Sequence, residues 1–109
     1  MDPKAEQNIL DRSQLIAFAE ACRLLDEGIS SMKDIDLAMR AGAGYAAGPF
    51  AMADQMGLDV VLQKMEGLQK QYGENRFYIS SRLRDLVARG HLGVKTQKGF
   101  YEYTGGAPQ

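Results

Sequence analysis

Glycines at positions 28, 42, 57, 73 and 90 divide this chain into stretches, and each stretch carries apolar residues three and four positions apart. That spacing places one apolar stripe on each of a series of helices, and a glycine after the stripe is a natural stop because it enters left-handed backbone at little steric cost. Stripes of this kind are buried only against one another. The fold class expected is therefore all-α, a bundle of about five helices with short connections.

The first stripe lies within Gln7–Glu27 and runs through Leu15, Phe18, Ala19, Cys22 and Leu25. Its helix starts at Asp11 or Ser13, or earlier, where Asp2-Pro3 supplies a capping residue and a first-turn proline. The second helix starts at Ser30 or Ser31 and ends at Gly42, with Ile35, Ala38 and Met39 as its buried edge. Asp34, three residues after Ser31, makes a variant capping box. Residues 42–48 hold too much glycine to stay helical. Pro49 then opens a third helix with Phe50, Ala53 and Met56 inward. Asp59 caps a fourth, striped by Val61, Met65, Leu68 and Tyr72, and Ser80 or Ser81 caps a fifth, striped by Leu83, Leu86 and Val87. Beyond His91 the chain reads as loop, then as a short extended aromatic run, Phe100-Tyr101-Glu102-Tyr103, then as a loose tail from Thr104 to Gln109.

The 109 residues are one domain's worth, and folding a chain of that size buries roughly 65% of the unfolded surface. The expectation is one domain over 1–109 with a core at about 9–103 and flexible ends at 1–6 and 104–109. A single cysteine excludes an intramolecular disulfide and a cysteine-rich zinc site, and a single histidine excludes a multi-imidazole metal site. No apolar run approaches the ~18 residues of a membrane span, and the N-terminus lacks a signal peptide's apolar stretch. These features point to a soluble, cytoplasmic protein with no membrane partner. The net charge is -1, with nine acids and five bases in residues 1–54 against five acids and eight bases in 55–109. The basic excess between Arg76 and Lys98 reads as a solvated face, and a pI near 5.8 argues against a nucleic-acid partner.

Candidate chemistry is sparse. Gly42-Ala43-Gly44 followed by Gly48 resembles a dinucleotide fingerprint, but that fingerprint follows a buried strand and opens a helix, whereas this run follows a helix. No cofactor and no metal is expected here. His91 has no orienting carboxylate in sequence and reads as a surface or terminus-docking residue. Cys22 and the methionines at 39, 52, 56 and 65 read as core. Asp34, Asp36, Asp54 and Asp59 lie near helix starts or turns, where capping accounts for most of them. No complete catalytic set emerges from the residues themselves.

Asp34-Ile35-Asp36, Ala38-Met39, Gly42-Ala43-Gly44-Tyr45, Gly48-Pro49-Phe50, Asp54 and Gly57-Leu58-Asp59 resemble, in order and spacing, the C-terminal domain of 3-hydroxyacyl-CoA dehydrogenases. Leu86-Val87, Gly90, Gly93, Lys95-Thr96, Gly99-Phe100-Tyr101 and Tyr103 resemble that domain's closing motif, and Arg12, Glu20-Ala21, Leu24 and Gly28 fit its opening more loosely. The resemblance covers about residues 9 to 103. It implies a helical domain of the 6-phosphogluconate-dehydrogenase C-terminal-like type, paired in cis with a Rossmann domain. The family oxidises 3-hydroxyacyl-CoA to 3-oxoacyl-CoA with NAD, in fatty-acid β-oxidation or a related pathway. Its glycine fingerprint and catalytic His–Glu pair lie on the Rossmann domain. The resemblance thus implies no catalytic residue and no bound NAD in these 109 residues, which alone should be inactive.

The family's helical domain covers the acyl-CoA substrate and carries much of a homodimer contact. Where the family has an asparagine before the first-helix arginine, contacting the reacting oxygen, this chain has Asp11 before Arg12. An ionised aspartate accepts hydrogen bonds but donates none. Asn8, one turn earlier on nearly the same face, is the candidate substitute, and the alternative for Asp11 is a cap or solvated residue. Pro49 and Phe50 would line the acyl path near the interdomain cleft; the alternative for Phe50 is an anchor of the third helix to the core, and Tyr45 shares that ambiguity. Lys95-Thr96 and Gly99-Phe100-Tyr101 would pack the chain back onto the bundle. Two other readings stand beside this one: a stand-alone helical interaction module without catalysis, and the helical domain of another hydroxy-acid dehydrogenase.

Overall fold

Asp2 and Pro3 decide where the first helix begins. The Asp2 carboxylate accepts a hydrogen bond from Lys4 N at 3.2 Å, and Pro3 supplies a fixed first-turn φ. Helix α1 therefore runs Pro3–Asp26, and residues 3–6, expected as part of a flexible end, form its first turn. The computed structural model describes residues 1–44, 46–104 and 107–108. Four further helices follow: α2 (Met32–Ala43), α3 (Pro49–Met56), α4 (Leu58–Tyr72) and α5 (Ser81–Ala88). A 3-10 turn, Val94–Thr96, precedes a two-residue antiparallel pair, β1 (Tyr103–Thr104) with β2 (Ala107–Pro108). Thr104, Ala107 and Pro108 of the expected loose tail are thus paired in backbone, while Gly105, Gly106 and Gln109 lie outside the described residues, as does Tyr45.

Caps account for most boundaries. Ser31 accepts from Asp34 N at 3.2 Å and starts α2, and Ser80, not Ser81, starts α5 by accepting from Arg82 N at 3.1 Å. Helix α2 passes through Gly42 and closes at Gly44, in the left-handed region at φ 76°. Asp59 does not cap α4: Gly57 holds that position, and Asp59 lies in the first turn, exposed, paired with Lys95 at 2.6 Å.

Helix α1 packs on α2, α3 and α4, and its buried stripe is Leu15, Phe18, Ala19 and Cys22 with Ala21. Ile35, Phe50, Ala53, Leu58, Val61, Met65 and Leu83 complete the helical part of the core. Phe18, Phe50 and Phe100 meet at ring-centroid distances of 5.0–6.0 Å, each pair tilted or edge-on. That geometry suits the aromatic quadrupole, and such pairs add about 1 kcal/mol each beyond burial. On α2, Ala38 is exposed, and the inward position beside Ile35 belongs to Asp36. Phe77 carries the α4–α5 connection into the core.

The same connection is pinned to the end of α1. Asp26 accepts from Tyr78 Oη, Ser80 Oγ and Arg82 Nε, each at 2.7 Å. Burial pushes the Asp26 carboxyl upward, but these three hydrogen bonds and the Arg82 charge outweigh it and hold the group below its ordinary value. Among the described residues, no helix is long and apolar enough to cross a membrane.

Candidate functional site

The site is framed by two buried aspartates that bind the helices to the closing segment. Asp36, on α2, accepts from Phe50 N at 2.8 Å and Ala51 N at 3.1 Å, the open amides of the first turn of α3. A helix N-terminus presents unpaired N–H groups and a partial positive charge, so a carboxylate delivered from another helix satisfies both. Asp36 also accepts from Tyr101 Oη at 2.7 Å. Asp54, on α3 and fully buried, repeats the pattern: it accepts from Phe100 N at 2.9 Å, Tyr101 N at 3.0 Å and Tyr103 Oη at 2.5 Å. Burial, with Asp36 nearby, raises the Asp54 carboxyl above its ordinary value although its three donors pull the other way. Burial and these carboxylates raise both tyrosine hydroxyls as well, so they remain protonated donors.

Close backbone approach makes this arrangement possible. A Cβ at Gly48 would collide with the Asp36 side chain, and one at Gly93, whose φ is 101°, with the Asp54 backbone. Glycine accepts both demands.

Two clefts flank the α2–α3 connection. The larger, about 420 Å³, lies over Asp36 and Tyr101, with Lys33, Leu37 and Arg40 of α2 on one side and Gln55 on the other. The smaller, about 230 Å³, lies between α1, α2 and α3, with Ala17, Met39, Pro49 and Met52 as its apolar lining and the Gln14 and Gln55 amides beside them; among the described residues no ionisable side chain lines it. A third hollow, about 290 Å³, runs along α1 beside Asn8, Ile9, Arg12 and Ile16.

The four expected substrate residues fall in different places. Pro49 lines the smaller apolar cleft, and Asn8 is exposed in the hollow on α1. Asp11 faces α4 instead, accepting from Gln7 Nε2 at 2.8 Å and pairing with Lys64 Nζ at 3.0 Å. Phe50 is fully buried against Phe18 and Phe100, so it anchors α3 to the core and lines none of these three clefts. Pro49 is buried as well, but it reaches the wall of the smaller cleft, successive helical residues pointing about 100° apart. Arg12 stacks over the Tyr72 ring, its Cζ 4.3 Å from the centroid.

The remaining candidates are structural. Cys22 is buried, and burial with Asp26 beside it holds the thiol well above its usual value, the opposite of an activated nucleophile. Met65 is fully buried; Met39, Met52 and Met56 are half-buried against the core. His91 is half-buried. No group of three His, Cys, Asp or Glu side chains among the described residues is placed to hold a metal ion. The residues also do not fit a dinucleotide: Gly42 and Gly44 lie at the end of helix α2, not between a strand and a helix N-terminus.

Capping, which accounts for most of the acids near helix starts and turns, does not describe the full role of Asp36 and Asp54: both are buried and grip residues 14 to 65 positions away, which no local pattern marks.

Fold and site together define an all-helical domain with a shaped apolar cleft and no catalytic constellation among its described residues. Residues 9–103 match the family described as 3-hydroxyacyl-CoA dehydrogenase, C-terminal domain, and the chain belongs to that family. It is 42% identical over 96 residues to the mouse hydroxyacyl-coenzyme A dehydrogenase, mitochondrial, covering 87% of this chain and 31% of that protein. It is 36% identical over 95 residues to a 3-hydroxybutyryl-CoA dehydrogenase of Clostridioides difficile, covering 87% and 34%. Among solved structures, the Escherichia coli 3-hydroxybutyryl-CoA dehydrogenase superposes with TM-score 0.79 at 34% identity, over 86% of this chain and 20% of that one. The (S)-3-hydroxybutyryl-CoA dehydrogenase PaaH1 from Ralstonia eutropha does so with TM-score 0.72 at 36% identity, over 89% and 33%. The chain thus spans about a third of the length of the curated relatives it matches. The family is one of oxidoreductases.

Proposed function

We propose that this chain is the substrate-covering, dimer-forming helical domain of an NAD-dependent 3-hydroxyacyl-CoA dehydrogenase, one part of a longer cytoplasmic enzyme of fatty-acid β-oxidation or a related pathway. The observation that carries this reading is the cleft beside Pro49, apolar at Met39 and Met52 and lined, among the described residues, by no ionisable side chain. Such a cleft holds an acyl chain and excludes water from it, but moves no proton. NAD and the proton-transferring pair belong to a Rossmann domain in cis. The single domain over 1–109 contributes walls.

Asp11 and Asn8 belong to the same reading. Lys64 pairs with Asp11 and offsets a charge that would otherwise repel a thioester or keto oxygen. Asn8, exposed one turn away, offers the amide donor that Asp11 lacks. Phe50 supports Pro49 from behind. Exposed Ile9, Leu10 and Ile16 on α1, with Leu37 on α2, supply apolar surface for a second copy.

Crystals of the 109-residue protein soaked in acetoacetyl-CoA test the reading. Acyl density beside Pro49 and Met52 is expected; density confined elsewhere overturns it. In solution the chain should reduce no NAD with 3-hydroxybutyryl-CoA and should run as a dimer by light scattering at micromolar concentration. Measurable turnover refutes the division of labour. A strict monomer that binds no acyl-CoA favours the stand-alone interaction module.

A further inference from the structure

Tyr101 touches both buried carboxylates. Its backbone N–H donates to Asp54 at 3.0 Å, and its hydroxyl donates to Asp36 at 2.7 Å. Asp36 is the group that meets the first-turn amides of α3, at Phe50 N and Ala51 N. Pro49, one residue before, lines the apolar cleft, and Met52, one residue after, lines it too. The entry of α3 has no side-chain cap of its own, because its N-cap is Gly48.

From this geometry we infer that Tyr101 is a positioning residue for the cleft: by holding Asp36 against the α3 amides it sets the entry of that helix, and with it the Pro49–Met52 wall. The acyl occupant of the cleft rests on the function proposed above; the positioning role does not. Tyr103 makes the comparable bond to Asp54 and leaves Asp36 untouched. The two hydroxyls therefore have separable effects. Loss of the Tyr103 hydroxyl loosens the grip on the Gly99–Tyr103 segment. Loss of the Tyr101 hydroxyl loosens the start of α3.

Residue-resolved amide exchange by NMR, on the 109-residue protein and its Tyr101→Phe and Tyr103→Phe variants, separates these. In Tyr101→Phe the Phe50 and Ala51 amides should exchange roughly tenfold faster, the scale of losing a hydrogen bond to a charged group. The Met39 and Met52 methyl signals should shift, and amides of α4 and α5 should stay near the unmodified rates. In Tyr103→Phe the Phe100 and Tyr101 amides should respond instead. Unchanged rates at Phe50 and Ala51, or uniform acceleration along the chain, overturn the inference; the second result is what a merely stabilising contact gives. Should Tyr101→Phe be only marginally folded, the same exchange is read in concentrated sucrose, which favours the compact state, with the same two overturning results. A separate acetoacetyl-CoA titration of the unmodified protein tests the occupant: absence of binding sinks the acyl-covering reading, while the exchange pattern alone decides the positioning role.

Discussion

Asp54→Asn is the sharpest test of how the bundle is closed. The carboxylate is fully buried and accepts three hydrogen bonds, one on Oδ1 from Phe100 N and two on Oδ2 from Tyr101 N and Tyr103 Oη. Asparagine keeps the shape but only one oxygen. With that oxygen toward the tyrosines, its NH₂ faces Phe100 N–H, donor against donor. An unsatisfied buried group costs roughly 1–3 kcal/mol, and replacing a charged acceptor by a neutral one at Tyr103 costs about 1 kcal/mol more. The expected loss is therefore about 2–4 kcal/mol, a large part of the ~5–15 kcal/mol available to a domain of this size. Urea unfolding followed by far-UV circular dichroism should show a lower midpoint at unchanged slope, and Tm should fall by roughly 10 °C. A loss under about 0.5 kcal/mol at neutral pH, within the range of ordinary surface changes, would refute the argument.

Four further outcomes follow from the same structure. Gly93→Ala drives a Cβ into the Asp54 backbone at positive φ, so it should cost about 3 kcal/mol or more, seen as lost soluble yield or a lost cooperative melt; a near-native melt contradicts the close approach. Asp26→Asn removes a carboxyl held below its ordinary 3.8, whose stabilisation is present above that value and lost as pH falls through the lower folded one. Wild type should therefore lose urea resistance in acid more steeply than the variant, and parallel acid profiles count against the Asp26 hub. Lys64→Ala breaks a half-exposed pair and should change stability by no more than about 1 kcal/mol; a change twice that size would mean the pair is structural. Cys22, buried with a raised thiol, should react with a disulfide reagent only at the rate of unfolding, and prompt labelling of the folded protein would show otherwise.

The helices and their stops were legible because period and punctuation are local. Leu15, Phe18, Ala19 and Cys22 declared the α1 stripe, and Gly57, Gly73 and Gly90 sit at the ends of α3, α4 and α5 or just beyond. What failed to show was whatever depends on distant residues. Asp36 looks like any helix-starting acid until Phe50, Ala51 and Tyr101 surround it, up to 65 residues away. Phe77 gave no periodic signal because it lies in a connection, and it is buried through tertiary packing alone. The same limit separates Pro49 from Phe50: adjacent in the motif and both buried, the first also borders a cleft while the second packs between Phe18 and Phe100. Asp11 read as either ligand-facing or solvated, and its partner on α4, Lys64, has no sequence signature at 53 residues' remove.

The double clasp also orders the birth of the molecule. All five helices are synthesised before the tyrosines that close them, and the bonds to Asp36 and Asp54 span 46 to 65 positions of chain. Until Gly99–Tyr103 emerges, two acids wait in an oily interior with the Phe18–Phe50 pair uncovered. A nick or an early stop before that point leaves a greasy, charge-bearing intermediate for proteases and chaperones to seize. Emergence of Gly99–Tyr103 and closure of the core become one event, so only copies that carry this segment seal the two acids.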